Sequence, residues 1–173
     1  ISENRPEWLI SDLAIMLTKA ITVPTYTTYT EKDYQYLIED CEPSVIIISN
    51  NIINKKIEKI ILEKNLIKKI ITFDVVSSTI DKKKYIDFNS IMEESLLEED
   101  KIKNVNSKRN SPACIIYTSG TGGNPKGVIL SHGGILNNIE GAQEILKSLI
   151  KEKPIFLTWL PLSHSYEHTV QFA

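Results

Sequence analysis

Cysteine is scarce: Cys41 and Cys114 are the two thiols in 173 residues, far apart and outside any CxxC spacing. That excludes a disulfide framework and a cysteine-based zinc site. Both cysteines have the apolar neighbours of buried thiols, and a reducing, cytoplasmic setting fits them. Long hydrophobic runs are missing as well. The longest apolar stretches, such as Val45 to Ile48 and Ile60 to Leu62, fall far short of the roughly 20 residues a spanning helix needs. No signal-peptide pattern opens the chain, so any membrane contact is expected to be peripheral. Positive charge is not in excess either. Twenty Lys and Arg against 22 Asp and Glu give a net charge of -2, which speaks against nucleic acid as a partner, because polyanion capture needs clustered, uncompensated cations. Lys55-Lys56, Lys68-Lys69 and Lys82 to Lys84 read as solvated faces. No internal repeat is visible. A starting methionine is also lacking. Ile1 opens the sequence, and Gln171-Phe172-Ala173 closes it inside what reads as a helix, so a segment of a longer protein is expected.

What is present is an ordinary soluble composition, 42% apolar and 24% charged, in a repeating order of elements. Pro6 precedes an apolar stripe of Trp8, Leu9, Leu13, Ile15, Met16 and Leu17, which predicts a first helix. Ile21 to Pro24 reads as a short strand and Thr25 to Thr30 as a polar loop. Glu31 to Asp40 has helical period, Pro43 breaks it, and Val45 to Ile48 reads as a buried strand. The alternation continues with a helix over Ile52 to Lys64, a strand over Ile67 to Phe73 and a helix over Ile91 to Leu97. Such alternation predicts the α/β class, with a parallel-rich sheet flanked by helices. Residues 1–98 form this subregion, 99–111 a polar surface linker, and 112–173 a second subregion. In the latter, Ala113 to Tyr117 reads as a strand, Thr118 to Gly127 as a loop and Val128 to Leu130 as a strand. Ser131 is placed as the N-cap of a helix reaching about Ile150, ended by Lys153-Pro154, and Ile155 to Leu160 is read as a last strand.

The loop between those two strands concentrates the chemistry. Tyr117-Thr118-Ser119-Gly120-Thr121-Gly122-Gly123-Asn124-Pro125-Lys126-Gly127-Val128 places three hydroxyls, four glycines and a lysine in one turn. Glycines admit backbone N–H groups close to phosphate oxygens and supply positive φ, hydroxyls donate further hydrogen bonds, and an ammonium offsets the ligand's charge. The GK[ST] ending of a Walker A loop is absent, and GxGxxG is absent too.

That segment resembles the signature loop of the adenylate-forming superfamily of acyl-CoA synthetases, luciferases and peptide-synthetase adenylation domains, whose usual form is YTSGTTGxPKGV. Gly122 stands where a second Thr or Ser is usual, which removes one hydroxyl donor and implies weakened ATP binding, by about 1 kcal/mol. Ser2 to Trp8, Val23-Pro24-Thr25-Tyr26-Thr27-Thr28, and Leu160-Pro161-Leu162-Ser163-His164 with Glu167 resemble the SENRPEW, VPxYxT and LPLSHxxE blocks of the long-chain fatty acyl-CoA synthetase branch. The resemblance implies a partial amino-terminal AMP-binding domain. It further implies ATP with Mg2+, a long-chain fatty acid and CoA as reactants of a full-length parent: acyl-adenylate and pyrophosphate form first, then acyl-CoA. Thr118, Ser119, Gly120, Thr121, Gly122, Gly123 and Lys126 would hold the phosphates. His164 would sit where the acyl group meets the α-phosphate, and Lys126 and His164 are the catalytic candidates. Glu167 is either a supporting partner or a first-turn acid favoured by the helix dipole.

The later family blocks, including the YGxTE-like segment and the carboxy-terminal lysine, do not occur in this sequence, so the chain alone is expected not to form acyl-CoA. Uncovered sheet edges would favour self-association as a homo-oligomer. Two rival readings remain. One is a non-catalytic or decayed nucleotide-binding fragment. The other is a zinc peptidase, because His164-Ser165-Tyr166-Glu167-His168 matches HxxEH, although a third protein ligand is not evident.

Overall fold

The computed structural model describes residues 1–64, 67–95, 106–118, 124–149, 155 and 157–172. The chain divides into two units, residues 1–7 with 26–103 and residues 8–25 with 104–173. Helix α1 (Pro6–Leu17) begins in the first and continues in the second.

In the first unit the local signals act in order. Thr30 and Asp33 form a reciprocal capping box at the start of α2 (Glu31–Cys41), the Thr30 N–H donating to Asp33 Oδ2 at 2.8 Å. Glu42 ends that helix in the left-handed region at φ 44°, and Pro43 prevents its continuation. Strand β1 (Val45–Ile48) follows, then Asn50 Oδ1 accepts from the Ile52 and Ile53 amides to cap α3 (Asn51–Glu63). Strands β2 (Lys69–Thr72) and β3 (Tyr85–Asp87) complete a parallel sheet in the order β1-β2-β3. A 3-10 turn, Lys82–Lys84, precedes β3, and α4 (Phe88–Ser95) follows it.

The core of this unit is isoleucine-rich: Ile53, Ile57, Ile60 and Ile61 of α3 pack with Ile46, Ile48, Ile70, Tyr34 and Ile38. Their spacing in α3 is one helical stripe. β1 and β2 are not buried throughout, as the apolar runs suggest. Both alternate, with Val45 and Lys69 exposed and Ile46, Ile48, Ile70 and Thr72 buried, so one sheet face meets the core. The opening block is also structural. The Arg5 guanidinium pairs with Glu7 at 2.9 Å and with Asp74 at 3.0 Å and lies over the Phe73 ring at 5.2 Å.

In the second unit, β4 (Pro112–Thr118) and β5 (Lys126–Ser131) form an antiparallel pair with Thr118 opposite Lys126, Tyr117 opposite Gly127 and Ile116 opposite Val128. Ser131 is both the last strand residue and the cap of α5 (His132–Leu149), its Oγ accepting from the Gly134 amide at 3.1 Å. Gly133 packs against the preceding turn, its N–H donating to Arg109 O at 2.6 Å. A Cβ there would lie 2.8 Å from that same carbonyl oxygen. Ala113, Cys114, Ile116 and Ile135 form the core, with Met16, Leu130 and Ile139 at its margin. Helix α6 (Ser165–Val170) closes the unit.

Other expectations change, and Thr118, Lys126 and Gly127 of the expected loop lie in strands. Ile21 to Pro24 is not a strand. Only Thr22 pairs, accepting from the Ile115 amide at 2.9 Å, because Pro24 lacks the donor that would extend a ladder. The stripe of α1 is rotated: its buried residues are Trp8 and Asp12, while Leu13 and Leu17 are exposed. The fourth helix starts earlier, at Phe88, and the rest of its expected span, Leu96 and Leu97, lies outside the described residues. Among the described residues of Ile155 to Leu160 no strand forms, and Ile155, Leu157 and Trp159 are exposed. Lys153-Pro154, the expected helix stop, and residues 99–105 of the expected linker also lie outside the described residues. No described helix is long and apolar enough to cross a membrane.

Candidate phosphate hairpin and capping histidine

The β4–β5 hairpin brings two predicted residues together. Thr118 ends one strand and Lys126 begins the other as direct cross-strand partners, so their side chains share one face at the mouth of the connection. Both are exposed, and among the described residues no ion pair engages Lys126. Ser119, Gly120, Thr121, Gly122 and Gly123, the other predicted phosphate contacts, lie outside the described residues.

Gly127 answers a different need from the one its composition suggests. An added Cβ would meet Ile115 Cγ2 at 2.8 Å and Tyr117 Cζ at 3.3 Å. The missing side chain makes room for the Tyr117 ring, which crosses the hairpin above its partner and is buried. The glycine therefore serves strand pairing, which keeps Thr118 and Lys126 in register.

His164 is placed by a turn, its N–H donating to Pro161 O at 2.8 Å. It is the N-cap of α6, and its Nδ1 accepts from the Tyr166 amide at 3.3 Å. A ring whose Nδ1 is an acceptor carries its neutral-state proton on Nε2. No hydrogen bond or ion pair among the described residues joins His164 to Thr118 or Lys126, although α5 packs against both β5 and α6. Glu167 is buried and accepts from Gln171 Nε2 at 2.6 Å.

His168, one turn on, faces another partner. Its Nε2 lies 2.8 Å from Asp12 Oδ2, with the two side chains 0% and 2% exposed. The HxxEH pattern would need both histidine rings on one ion, whereas here one ring caps a helix and the other is bonded to α1. Among the described residues, no group of three or more His, Cys, Asp and Glu could hold a metal. Sequence reasoning passed over Asp12. Its signal was a carboxylate four residues after Trp8, on the face that α1 buries. Cys114, in the same core, has its thiol pushed up to about 12 by burial, with the Asp12 charge adding to the effect.

The AMP-binding enzyme family matches residues 1–173, the whole chain. The chain belongs to that family. Fatty acyl-CoA synthetase A of Dictyostelium discoideum is 33% identical over 98% of the chain and 26% of its own length. Long-chain-fatty-acid–CoA ligase 5 of rat is 31% identical over the same shares. The chain thus spans about a quarter of the length of these relatives. Among solved structures, coronafacic acid ligase of Pectobacterium brasiliense superposes with a TM-score of 0.75 at 15% identity, over 99% of this chain and 32% of that one. The o-succinylbenzoate CoA synthetase of Bacillus subtilis, bound to its acyl-adenylate, gives 0.69 at 21% identity, over 99% and 38%. The fold is that of the amino-terminal region of adenylate-forming enzymes.

Proposed function

We propose that this chain supplies the ATP-phosphate hairpin and part of the acyl site of an AMP-forming long-chain fatty acid–CoA ligase. The observation that carries the reading is the Thr118–Lys126 cross-strand pair, which places a hydroxyl and an ammonium on one face at the two ends of the glycine- and hydroxyl-rich segment. The long-chain relatives that align along nearly the whole chain support the substrate class.

In the first half-reaction the fatty carboxylate attacks the α-phosphorus of ATP and pyrophosphate leaves. In the second, the CoA thiol attacks the adenylate carbonyl and AMP leaves. The protein's task in the first is to bring two anions together, which fixed donors accomplish at little reorganisation cost. Lys126 offsets the phosphate charge, Thr118 donates a hydroxyl, and Ser119 to Gly123 supply the remaining donors. His164, with Nδ1 engaged by the helix, presents Nε2–H to the reacting oxygens. Among the described residues no group of three or more His, Cys, Asp and Glu could hold Mg2+. It enters as the counter-ion of ATP.

Lys126→Ala is expected to weaken ATP binding by tenfold or more, the loss of a charged hydrogen-bond donor being about 1.5–3 kcal/mol. Unchanged ATP affinity in calorimetry would sink this reading. The isolated chain, a quarter of its relatives' length, is expected to show no acyl-CoA formation. Robust turnover by it would contradict that division of labour.

A further inference from the structure

Helix α6 has six residues, too few to be held by its own hydrogen bonds, because helix nucleation is costly and short helices persist only through packing. Its buried side chains are Glu167 and His168. Glu167 bonds to Gln171, just past the helix, so among the described residues the side-chain hydrogen bond from α6 itself to another helix is that of His168. That ring is clamped from α1 by Asp12 and, edge-on, by Trp8 at 5.6 Å. Phe172 closes on it, also edge-on at 5.6 Å. Trp8 and Asp12 are four residues apart and therefore share one face of α1.

A carboxylate only accepts, so His168 Nε2 carries the shared proton. His168 Nδ1 and Asp12 Oδ1 have no partner among the described residues. The link to the site is short. The His168 amide donates to the His164 carbonyl at 2.9 Å, so the turn that fixes His168 also fixes the backbone of the capping histidine.

We infer that Asp12 is a positioning residue: through His168 it fixes the turn that orients His164 and keeps its Nε2–H free for the reacting groups. The inference rests on the role given to His164 above, and its first test is independent of turnover. Histidine side-chain 15N spectra of the wild-type chain should show His164 as a single Nε2–H tautomer. Asp12→Ala should convert that signal to an averaged pair of tautomers. Asp12→Asn should retain the single form, because an amide oxygen accepts the same proton. The double variant Asp12→Leu with His168→Leu replaces the pair by apolar packing, a change that commonly preserves folding. It too should lose the single tautomer.

A His164 tautomer left intact in Asp12→Ala, or in the folded double variant, overturns the inference. If both variants unfold, the pair holds the unit together rather than positioning one ring, and the inference also falls. In a full-length ligase carrying this chain, Asp12→Ala should raise KM for the fatty acid about tenfold with KM for ATP unchanged, while Lys126→Ala shows the opposite split. Absence of ligase activity in the wild-type full-length protein would remove the functional reading alone and leave the spectra to decide the positioning.

Discussion

Replacing Gly127 with alanine places a methyl carbon 2.8 Å from Ile115 Cγ2 and 3.3 Å from Tyr117 Cζ. Carbon atoms in contact settle about 3.5–4.0 Å apart, so the first of these contacts must open by roughly 0.7 Å. Ile115 cannot easily yield, because a β-branched side chain is stiff about χ1 and its Cγ2 is attached directly to Cβ. The strain therefore passes to the backbone pairing. Overpacking of this kind costs about 1–3 kcal/mol. The smaller conformational entropy of an unfolded alanine returns about 0.4–1 kcal/mol. The net expectation is a loss of roughly 1–2 kcal/mol, or roughly 2–8 °C in Tm for a chain of this size.

Thermal unfolding followed by circular dichroism measures the loss, and a double-mutant cycle with Ile115→Ala identifies its source. That second change deletes Cγ2, so Gly127→Ala should cost about 1 kcal/mol less in its background. A neutral or stabilising Gly127→Ala, or strictly additive effects, would show that Gly127 is not required for clearance across the hairpin.

Three further outcomes are expected. At Glu58, hydrogen bonds from the Ser78 hydroxyl, above all, and from Thr79 hold the carboxyl below its usual range against the opposing pull of burial. A depressed pKa gives stability that is complete above the unfolded value, about 4.5, and is lost as pH falls through the folded one. Glu58→Ala should therefore cost about 1 kcal/mol at neutral pH and flatten the acid limb of a stability–pH curve, and an unchanged limb would refute this. Burial pushes the Cys41 thiol up to about 11 and that of Cys114 to about 12. Native alkylation should accordingly be slow, with half-buried Cys41 ahead of Cys114, whereas rapid stoichiometric labelling of Cys114 would contradict its burial. Thr30→Ala removes the capping box of α2 and should lower stability by about 1 kcal/mol in urea unfolding; no change in the midpoint would count against the cap.

Elements with strong local signals were legible. α2, β1 and α3 combine a cap, a stop and an apolar period within a few residues, so their bounds moved by one or two positions at most. β3 was not legible. Tyr85-Ile86-Asp87 is three residues long, follows a lysine run and has no alternation to display. It is held instead by parallel pairing to β2 and by Tyr85, whose hydroxyl donates to Asn54 Oδ1 at 2.9 Å. Such contacts between distant residues leave no periodic trace. The same holds for Asp12, 156 positions from its histidine.

In the signature segment, composition merges two kinds of requirement. A glycine there can serve a ligand, by letting amides approach phosphate oxygens, or serve the strands, by giving room to a neighbour. Gly127 does the second: its contacts are Ile115 and Tyr117, and no positive φ is involved. That fixes what Tyr117 and Gly127 accomplish together. Tyr117 over Gly127 locks one cross-strand pair, and the adjacent pair is Thr118 with Lys126. The strand register set by that packing places Thr118 opposite Lys126. In the proposed ATP site, binding would not pay the full entropy of bringing the two strand ends together, which is how preorganisation raises affinity without adding a contact.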